Sequence, residues 1–301
     1  MATQQRQTQY DESTIKTLSS LEHIRLRTGM YIGRLGDGSN LDDGIYVLLK
    51  EVIDNSVDEY IMGHGKTIDV NIKDGVVSVR DYGRGIPLGK VVECVSVINT
   101  GAKYNNDVFQ FSVGLNGVGT KAVNALSSHF KVISIRGGSY FQGFFRQGEL
   151  VEEKEGKTKK HKDGTYVEFI PDPEIFGEYE FNPEFIEQRL WNYAYLNSGL
   201  TLRFGKQKFY SENGLYDLLK DEVGNNAAYE IAWYRGKQLE FAFTSTENYG
   251  ETYFSFVNGQ FTADGGTHQS AFREGILKGV NDYFKKNYSG VDVREGIAGA
   301  V

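Results

Sequence analysis

Apolar residues recur at steps of three and four between residues 41 and 62, which predicts an amphipathic helix. The positions that form this apolar stripe are Ile45, Leu48, Leu49, Val52, Ile53, Val57 and Ile61. Asp42 or Asp43 is placed to cap the start of the helix, and Gly63 and Gly65 follow its end.

After Gly65 the hydrophobic period changes to two, which is typical of strands. Residues 67–72 and 76–80 alternate in this way around Asp74-Gly75, a pair that favours a tight hairpin turn. Further predicted strands are residues 130–136, 140–147, 165–170, 200–204, 229–233, 239–244 and 253–257, and further predicted helices are residues 91–98, 120–127, 183–196 and 268–285. This order predicts an α+β fold in which one antiparallel or mixed sheet is backed by helices on one face.

The chain has 301 residues, which is enough for two domains of ordinary size. A polar, locally helical stretch near residues 211–224 precedes the last set of strands, so we predict two domains, residues 1–220 and 221–301. Residues 296–301 form an apolar run, whereas natural chain ends are usually polar and exposed. We therefore expect the natural protein to continue beyond residue 301.

Composition narrows the class of protein. The formal net charge of −7 argues against a surface that binds nucleic acid throughout, but not against a local basic site or a DNA-binding part elsewhere in a longer protein. The one basic cluster, residues 157–162 (KTKKHK), is interpreted as a solvated hairpin loop.

Cys94 is the only cysteine, which excludes an intrachain disulfide and zinc clusters. No apolar run approaches a membrane span of about 18 to 20 residues and no secretory signal begins the chain, so the default expectation is cytoplasmic.

A polar face is predicted on the first helix. Glu51, Asn55, Asp58 and Glu59 lie on one side of it, opposite the apolar stripe, because an α-helix has 3.6 residues per turn. A carboxylate and an amide one turn apart suit a magnesium–phosphate site, in which the amide oxygen binds the cation and the carboxylate deprotonates a water molecule. Taken alone, the same pattern more often marks a solvated helix face.

A glycine-rich turn follows at residues 81–87 (DYGRGIP). Asp81 ends a predicted strand, where its carboxylate can accept a hydrogen bond from an exocyclic amine such as that of adenine. Gly83 and Gly85 remove Cβ atoms that would block the ring and allow positive φ angles. On its own, an Asp-x-Gly sequence is more often an ordinary turn.

A second glycine-rich segment, residues 114–119 (GLNGVG), runs into a predicted helix, so its backbone N–H groups and the positive helix end can hold phosphates. It is not a P-loop, because Thr120-Lys121 stands where that motif requires lysine followed by Ser or Thr. Residues 83–89 are one residue too long for the dinucleotide fingerprint. Residues 100–111 are predicted to form a lid from which Lys103 reaches a phosphate. A plain loop with an exposed, solubilising lysine is the alternative.

The chain carries, in this order, four motifs that resemble the ATP-site motifs of the GHKL ATPases: Glu51-x-x-x-Asn55, Asp81-x-Gly-x-Gly85, Gly114-x-x-Gly-x-Gly119 and Gly164-Thr165. Within that group, residues 29–33 (GMYIG) and 264–268 (DGGTH) resemble the B subunits of bacterial type II topoisomerases, and the likeness runs from about Tyr10 to the last residue. The resemblance implies a Bergerat (GHKL) ATPase α/β sandwich followed by the start of a transducer domain with a ribosomal-protein-like fold.

The resemblance also implies ATP and Mg²⁺ as cofactors, with Glu51 as the general base that activates water and Asn55 as the magnesium ligand. Asp81 would bind the adenine amine, with Thr165 near the same edge. The residues implied to contact the nucleotide are Tyr10, Asn55, Asp58, Asp81, Gly83, Arg84, Gly85, Ile86, Pro87, Lys103, Gly114, Leu115, Asn116, Gly117, Val118, Gly119, Arg136 and Thr165.

Partners are implied in the same way. Tyr10 would lie on an N-terminal arm that crosses to a second copy, so that ATP binding closes a homodimeric gate. The topoisomerase A subunit and duplex DNA would be partners of the full-length protein in the bacterial cytoplasm, with no membrane partner. ATP-competitive inhibitors would bind near Arg84, Pro87 and Arg136.

The family's γ-phosphate lysine has no match before residue 301, so this chain is expected to bind ATP but to hydrolyse it poorly.

Within the topoisomerases, the sequence resembles topoisomerase IV more than gyrase, and the B subunit of gyrase is the alternative. Asn116 stands where gyrases often carry histidine, and residues 101–104 (GAKY) and 119–122 (GTKA) also look more like topoisomerase IV. A mismatch-repair or chaperone ATPase would share the ATP-site motifs but is not expected to carry residues 264–268. A sensor histidine kinase would need a dimerisation hairpin with a phosphoacceptor histidine, and His23 lacks that context.

Overall fold

The computed structural model describes residues 12–101 and 117–301. The strands of its larger sheet are β1 (Thr67–Lys73), β2 (Val76–Asp81), β3 (Ser127–Arg136), β4 (Ser139–Arg146), β5 (Glu149–Lys157), β6 (Gly164–Pro171), β7 (Thr201–Phe204) and β8 (Gln207–Phe209). They form an eight-stranded sheet in the order β5-β4-β3-β6-β2-β1-β7-β8. All neighbours are antiparallel except β1 and β7, which run parallel, so the predicted mixed sheet is confirmed.

The second sheet follows later in the chain. Its strands are β9 (Ala232–Arg235), β10 (Glu240–Ser245), β11 (Thr252–Phe254) and β14 (Ile297–Ala300), and a separate short hairpin consists of β12 (Phe256–Val257) and β13 (Gln260–Phe261). The order of the second sheet is β11-β14-β10-β9.

The described α-helices are α1 (Ser20–Leu26), α2 (Gly29–Ile32), α3 (Gly44–Ile61), α4 (Val91–Ser96), α5 (Gly119–Ala125), α6 (Pro173–Phe176), α7 (Pro183–Leu196), α8 (Leu215–Val223), α9 (Thr267–Phe284) and α10 (Gly290–Arg294). Turns of 3₁₀-helix lie at Glu12–Thr14, Leu88–Lys90 and Gly224–Asn226. Among the described helices, none has the combination of length and apolar character that crossing a membrane requires.

The predicted domain boundary at residue 220 falls inside α8. Leu215, Leu218 and Leu219 of this helix pack in a cluster with Ala242 and Ala300 of the second sheet. The division of the chain into residues 1–220 and 221–301 stays a prediction.

One strand was missed from the sequence, and one capping prediction was wrong. Strand β5 was not predicted, because it lies at the edge of the sheet with nearly every side chain exposed and therefore lacks alternating apolar residues. Asp43 occupies the N-cap position of α3 but makes no capping hydrogen bond. Its carboxylate instead accepts hydrogen bonds from the N–H groups of Gly38 (2.9 Å) and Asn40 (3.1 Å) and pairs with Arg34. Asp43 therefore stabilises the loop before the helix rather than the first helical turn.

Helix α3 packs on β1, β2 and β6 and on α5, and it is buried over most of its surface. Two of its polar side chains fix its position. Near its start, the Tyr46 hydroxyl donates to the Gly38 carbonyl and accepts from the Asn182 N–H, both at 2.8 Å. Further along, the buried Asp54 carboxylate pairs with Lys50 and accepts a hydrogen bond from the Tyr193 hydroxyl of α7. Burial and the charge of Asp54 raise the pKa of Tyr193, so this hydroxyl stays protonated as a donor.

We predict that Tyr46→Phe lowers the free energy of unfolding by about 2 kcal/mol, because it leaves a buried carbonyl and a backbone N–H without their partner while the ring still packs. Urea denaturation of the variant and the wild type measures this difference. Tyr229→Phe is the matched control, since Tyr229 is 75% exposed. Equal stability of all three proteins would contradict the anchoring role of the Tyr46 hydroxyl.

Candidate functional site

A cavity of about 870 Å³ opens between α3, α5 and the ends of β2, β3 and β6. It gathers residues that are far apart in the sequence but were all predicted to bind the nucleotide or to act on it. Those on its wall are Glu51, Asn55, Asp58, Asp81, Arg84, Gly85, Ile86, Pro87, Gly117, Val118, Gly119, Arg136 and Thr165. Tyr10, Lys103, Gly114, Leu115 and Asn116 lie outside the described residues, as does most of the predicted lid.

Gly83 is the one described residue of the predicted set that is not on the cavity wall. Its N–H donates to the Asp81 carboxylate at 2.9 Å. A Cβ atom added at Gly83 would lie 2.7 Å from Glu59 Oε2, so the glycine permits close packing of the turn on α3. Gly83 therefore shapes the site from behind rather than facing its interior.

Glu51 of α3 lies against Gly119, the first residue of α5. A Cβ atom added at Gly119 would lie only 1.7 Å from Glu51 Oε2, so a larger residue at this position would displace the carboxylate or the helix. Val118, the N-cap residue of α5, supplies no side-chain capping bond. The first N–H groups of a helix have no partner within that helix, so this end of α5 brings backbone donors to the same wall as Glu51.

Asn55 lies one turn after Glu51. Its side-chain Nδ2 donates to the Glu51 carbonyl at 2.9 Å and to Thr120 Oγ1 at 2.7 Å. These bonds fix the amide so that its nitrogen faces the two helices, which makes the oxygen the atom suited to binding a cation. Among the described residues, no group of three or more His, Cys, Asp or Glu could hold a metal ion by itself.

Asp81 ends β2 on the buried face that also carries Val77 and Val79. It is 5% exposed. One carboxylate oxygen, Oδ1, accepts hydrogen bonds from the N–H groups of Gly83 (2.9 Å) and Thr165 (3.0 Å). Within the described part of the chain, no hydrogen bond reaches the other oxygen, and Asp81 contributes to the cavity wall. Burial raises the pKa of Asp81 to about 6 against the lowering effect of these hydrogen bonds, so the carboxylate is ionised at neutral pH.

Residues at the end of β3 hold the turn that follows Asp81. Gly85 has a φ angle of 73°, and a Cβ atom there would lie 2.5 Å from the Ile135 carbonyl oxygen. The Ser134 hydroxyl donates to the Ile86 carbonyl at 2.7 Å, and Arg136 Nη1 donates to the Gly85 carbonyl at 3.2 Å. The end of β3 thus fixes the backbone of the segment that forms one rim of the cavity.

Arg84 and Glu59 form a bidentate ion pair at the same rim. Arg84 Nη2 lies 2.9 Å from Glu59 Oε1, and Arg84 Nε lies 3.1 Å from Oε2. Burial opposes ionisation of Glu59, but the hydrogen bonds from Arg84 outweigh it and lower the pKa of this carboxyl group. The pair ties the turn to the end of α3.

Several wall residues were not predicted from the sequence. They include Tyr31, Lys50, Cys94, Thr120, Lys121 and Gln260, whereas Glu59 was predicted to lie on the polar face of α3 but not among the nucleotide contacts. Lys121 is 4% exposed, and its Nζ donates to the Thr100 carbonyl at 2.6 Å. In the sequence, Lys121 stood out only as a misfit to the P-loop spacing and as part of residues 119–122, and neither observation indicated a contact in the site.

Two protein-family models match parts of this chain. A family model described as "Histidine kinase-, DNA gyrase B-, and HSP90-like ATPase" matches residues 40–175, and one described as "DNA gyrase B" matches residues 207–301. The solved 43K ATPase domain of Thermus thermophilus gyrase B, in complex with an aminocoumarin, is 31% identical with a TM-score of 0.75. The match covers 93% of this chain and 81% of that one. The chain belongs to the GHKL ATPases of type II topoisomerase B subunits.

Two full-length members of this GHKL family are similar over nearly the whole chain. The B subunit of DNA topoisomerase 4 from Borreliella burgdorferi is 63% identical over 96% of this chain and 48% of that protein. The B subunit of DNA gyrase from Thermotoga maritima is 36% identical over 97% of this chain and 51% of that protein. The chain thus spans about half the length of these relatives. The ATPase region of Saccharomyces cerevisiae topoisomerase II, at 20% identity and a TM-score of 0.77, shares the fold.

The family and the fold class predicted from the sequence are therefore confirmed. A GHKL ATPase binds ATP, and the cavity is the place where the family motifs of this chain meet. The roles of individual residues in it remain predictions.

We predict a pH-dependent stability difference between the wild type and Asp81→Asn. The folded-state pKa of Asp81, about 6, lies above the value of about 3.9 in an unfolded chain, so ionising it costs native stability as the pH rises through that window. Relative to the asparagine variant, the wild type should lose about 2 to 3 kcal/mol between pH 4 and pH 6 and then change little.

Chemical denaturation at intervals from pH 4 to pH 8 measures this difference. Asp74→Asn, in the exposed turn between β1 and β2, is the matched control. Parallel stability curves for the wild type and Asp81→Asn across the whole range would contradict the burial argument.

Proposed function

We propose that this chain is the ATP-binding and ATP-hydrolysing N-terminal region of a topoisomerase IV B subunit, in which ATP turnover drives DNA strand passage. The observation that carries the ATP-binding role is the buried Asp81 carboxylate, with one oxygen fixed by two backbone N–H groups and the other available to the cavity. The higher identity to a B subunit of topoisomerase 4, 63% against 36% for a gyrase B, supports topoisomerase IV over gyrase.

The cavity has two chemically different ends. At one end, Asp81 would accept a hydrogen bond from the adenine amine beside Thr165, with Ile86 and Pro87 offering apolar surface to the ring. At the other end, the backbone N–H groups of residues 117–119 would hold the phosphates. Helix α5 has only seven residues, so we assign this binding to individual N–H groups rather than to a helix dipole.

Glu51 is the proposed general base. Its carboxylate lies against Gly119, beside the proposed phosphate end, where it would take a proton from the water molecule that attacks the γ-phosphorus. Asn55 would offer its amide oxygen to Mg²⁺, and the remaining ligands would be phosphate oxygens and water, as is usual for this ion. A bound Mg²⁺ would neutralise phosphate charge. The N–H groups of residues 117–119 would stabilise the charge that develops on the transferred group.

The partners of the full-length protein are proposals that rest on its relatives. As a B subunit it would act with a topoisomerase A subunit on duplex DNA in the bacterial cytoplasm. ATP binding would bring two copies together through the segment around Tyr10. An aminocoumarin is named in the complex of the Thermus thermophilus relative, which supports an inhibitor site near Arg84, Pro87 and Arg136.

We predict that a non-hydrolysable ATP analogue with magnesium binds this chain at one site, and that Asp81→Asn weakens binding at least tenfold. The asparagine keeps the shape of the side chain but can place an N–H group against the adenine amine. Calorimetric titration of both proteins at pH 7.5 measures this, with Asp74→Asn as the matched control. Equal affinities of the wild type and Asp81→Asn would contradict the base-binding role.

We predict that Glu51→Gln, introduced into the full-length protein, lowers the ATP turnover number at least 100-fold and leaves ATP-analogue affinity within about twofold. The amide fills the same space but cannot take a proton from water. A steady-state phosphate-release assay and an analogue titration separate the two effects. Turnover at the wild-type rate would exclude Glu51 as the general base, and Glu149→Gln on the exposed strand β5 provides the control.

A further inference from the structure

One wall residue of the ATP cavity comes from the second set of strands. Gln260 lies on β13, whereas the other described wall residues lie between Met30 and Val167 in the sequence. Neither the ATP-site motifs nor the roles proposed above include it. A side chain from the later part of the chain therefore lies beside the nucleotide-binding residues of the earlier part.

The local backbone fixes the position of Gln260 in the hairpin. Val257 pairs with Gln260 and Phe256 with Phe261 across a two-residue turn. The turn residues Asn258 and Gly259 have φ angles of 50° and 81°, which correspond to the tight hairpin turn that Asn-Gly favours. A turn of this kind leaves little freedom in the register of the hairpin, so Gln260 has a defined place on the cavity wall.

The carboxamide of Gln260 is available for a ligand. The residue is half-buried, and in the described part of the chain its side chain makes no hydrogen bond. A carboxamide offers two N–H donors and a carbonyl acceptor, so it can bind a phosphate oxygen, a ribose hydroxyl or a base edge. A half-buried amide on a cavity wall gains a hydrogen bond when a ligand satisfies it.

The base of the hairpin is joined to helix α9. Thr262 N–H donates to the Ser255 carbonyl at 2.8 Å, and the hydroxyl groups of Ser255 and Thr262 lie 2.6 Å apart. Thr262 Oγ1 also lies 3.4 Å from Nε2 of His268, in the first turn of α9. These hydrogen bonds join the base of the hairpin that carries Gln260 to the start of α9.

We propose that Gln260 is a nucleotide-contacting residue that the second set of strands contributes to the ATP site, and that its contact couples nucleotide binding to α9. This inference rests on the proposed function, because it requires ATP in the cavity. It adds a ligand-binding side chain outside the four sequence motifs.

Titration with a non-hydrolysable ATP analogue and magnesium tests the contact. Gln260→Ala is expected to weaken binding about tenfold, the loss that removal of one hydrogen bond to the ligand produces. Gln260→Glu is expected to weaken it further, because a carboxylate on the wall repels the phosphates. Gln188→Ala, an exposed glutamine of α7, is the matched control and should bind like the wild type.

Hydrogen exchange of the amides of residues 255–268 tests the coupling. The analogue should slow exchange there in the wild type and in Gln188→Ala, but not in Gln260→Ala at a concentration that saturates all three proteins. If the wild type binds and Asp81→Asn weakens binding while both Gln260 variants bind as the wild type does, the inference is wrong and the proposed function stands. No binding by the wild type overturns both.

Discussion

The burial of helix α3 is the constraint on which the rest of the site depends. A helix surrounded by a sheet and other helices can keep polar side chains only if each of them has a partner, because an unpaired buried polar group costs several kcal/mol. Asp54 is paired with Lys50 and Tyr193, Asn55 with Thr120, and Glu59 with Arg84. These pairs fix the neighbouring segments around the helix, and the cavity is the space that they leave between them.

The need of a buried polar group for partners also applies to Asp81 in the sheet. Its position at the end of β2 places the carboxylate on the side that α3 covers, and hydrogen bonds from Gly83 and Thr165 fix one oxygen there. The cost of burying a charge is visible in the raised pKa of Asp81. A ligand that donates a hydrogen bond to the second oxygen recovers part of this cost, so binding strength and native stability oppose each other at this residue.

Much of this arrangement could be predicted from the sequence, because it is encoded locally. The period of α3, the Asp74-Gly75 hairpin and the spacing of Glu51 and Asn55 follow from neighbouring residues, whereas the place of Asp81 in the site was implied by the resemblance to the GHKL ATPases. What could not be predicted depends on contacts between distant segments. Edge strand β5 has no buried face, so its sequence lacks the alternation of apolar residues that predicts a strand. Gly83 lies behind the cavity because Glu59 packs against it. Lys121 and Gln260 reach the wall only through tertiary packing, and no sequence spacing indicates that.

Cys94 gives the cavity a chemical property unrelated to phosphate transfer. The only thiol of the chain lies on α4, half-buried, and forms part of the cavity wall. Burial raises its pKa, so little thiolate is present at neutral pH and reagents in bulk solution meet a poor nucleophile. An electrophile carried by a molecule already seated in the cavity would instead benefit from proximity, which raises its effective concentration by orders of magnitude. We therefore expect covalent labelling of Cys94 to depend on occupancy of the cavity more than on intrinsic thiol reactivity.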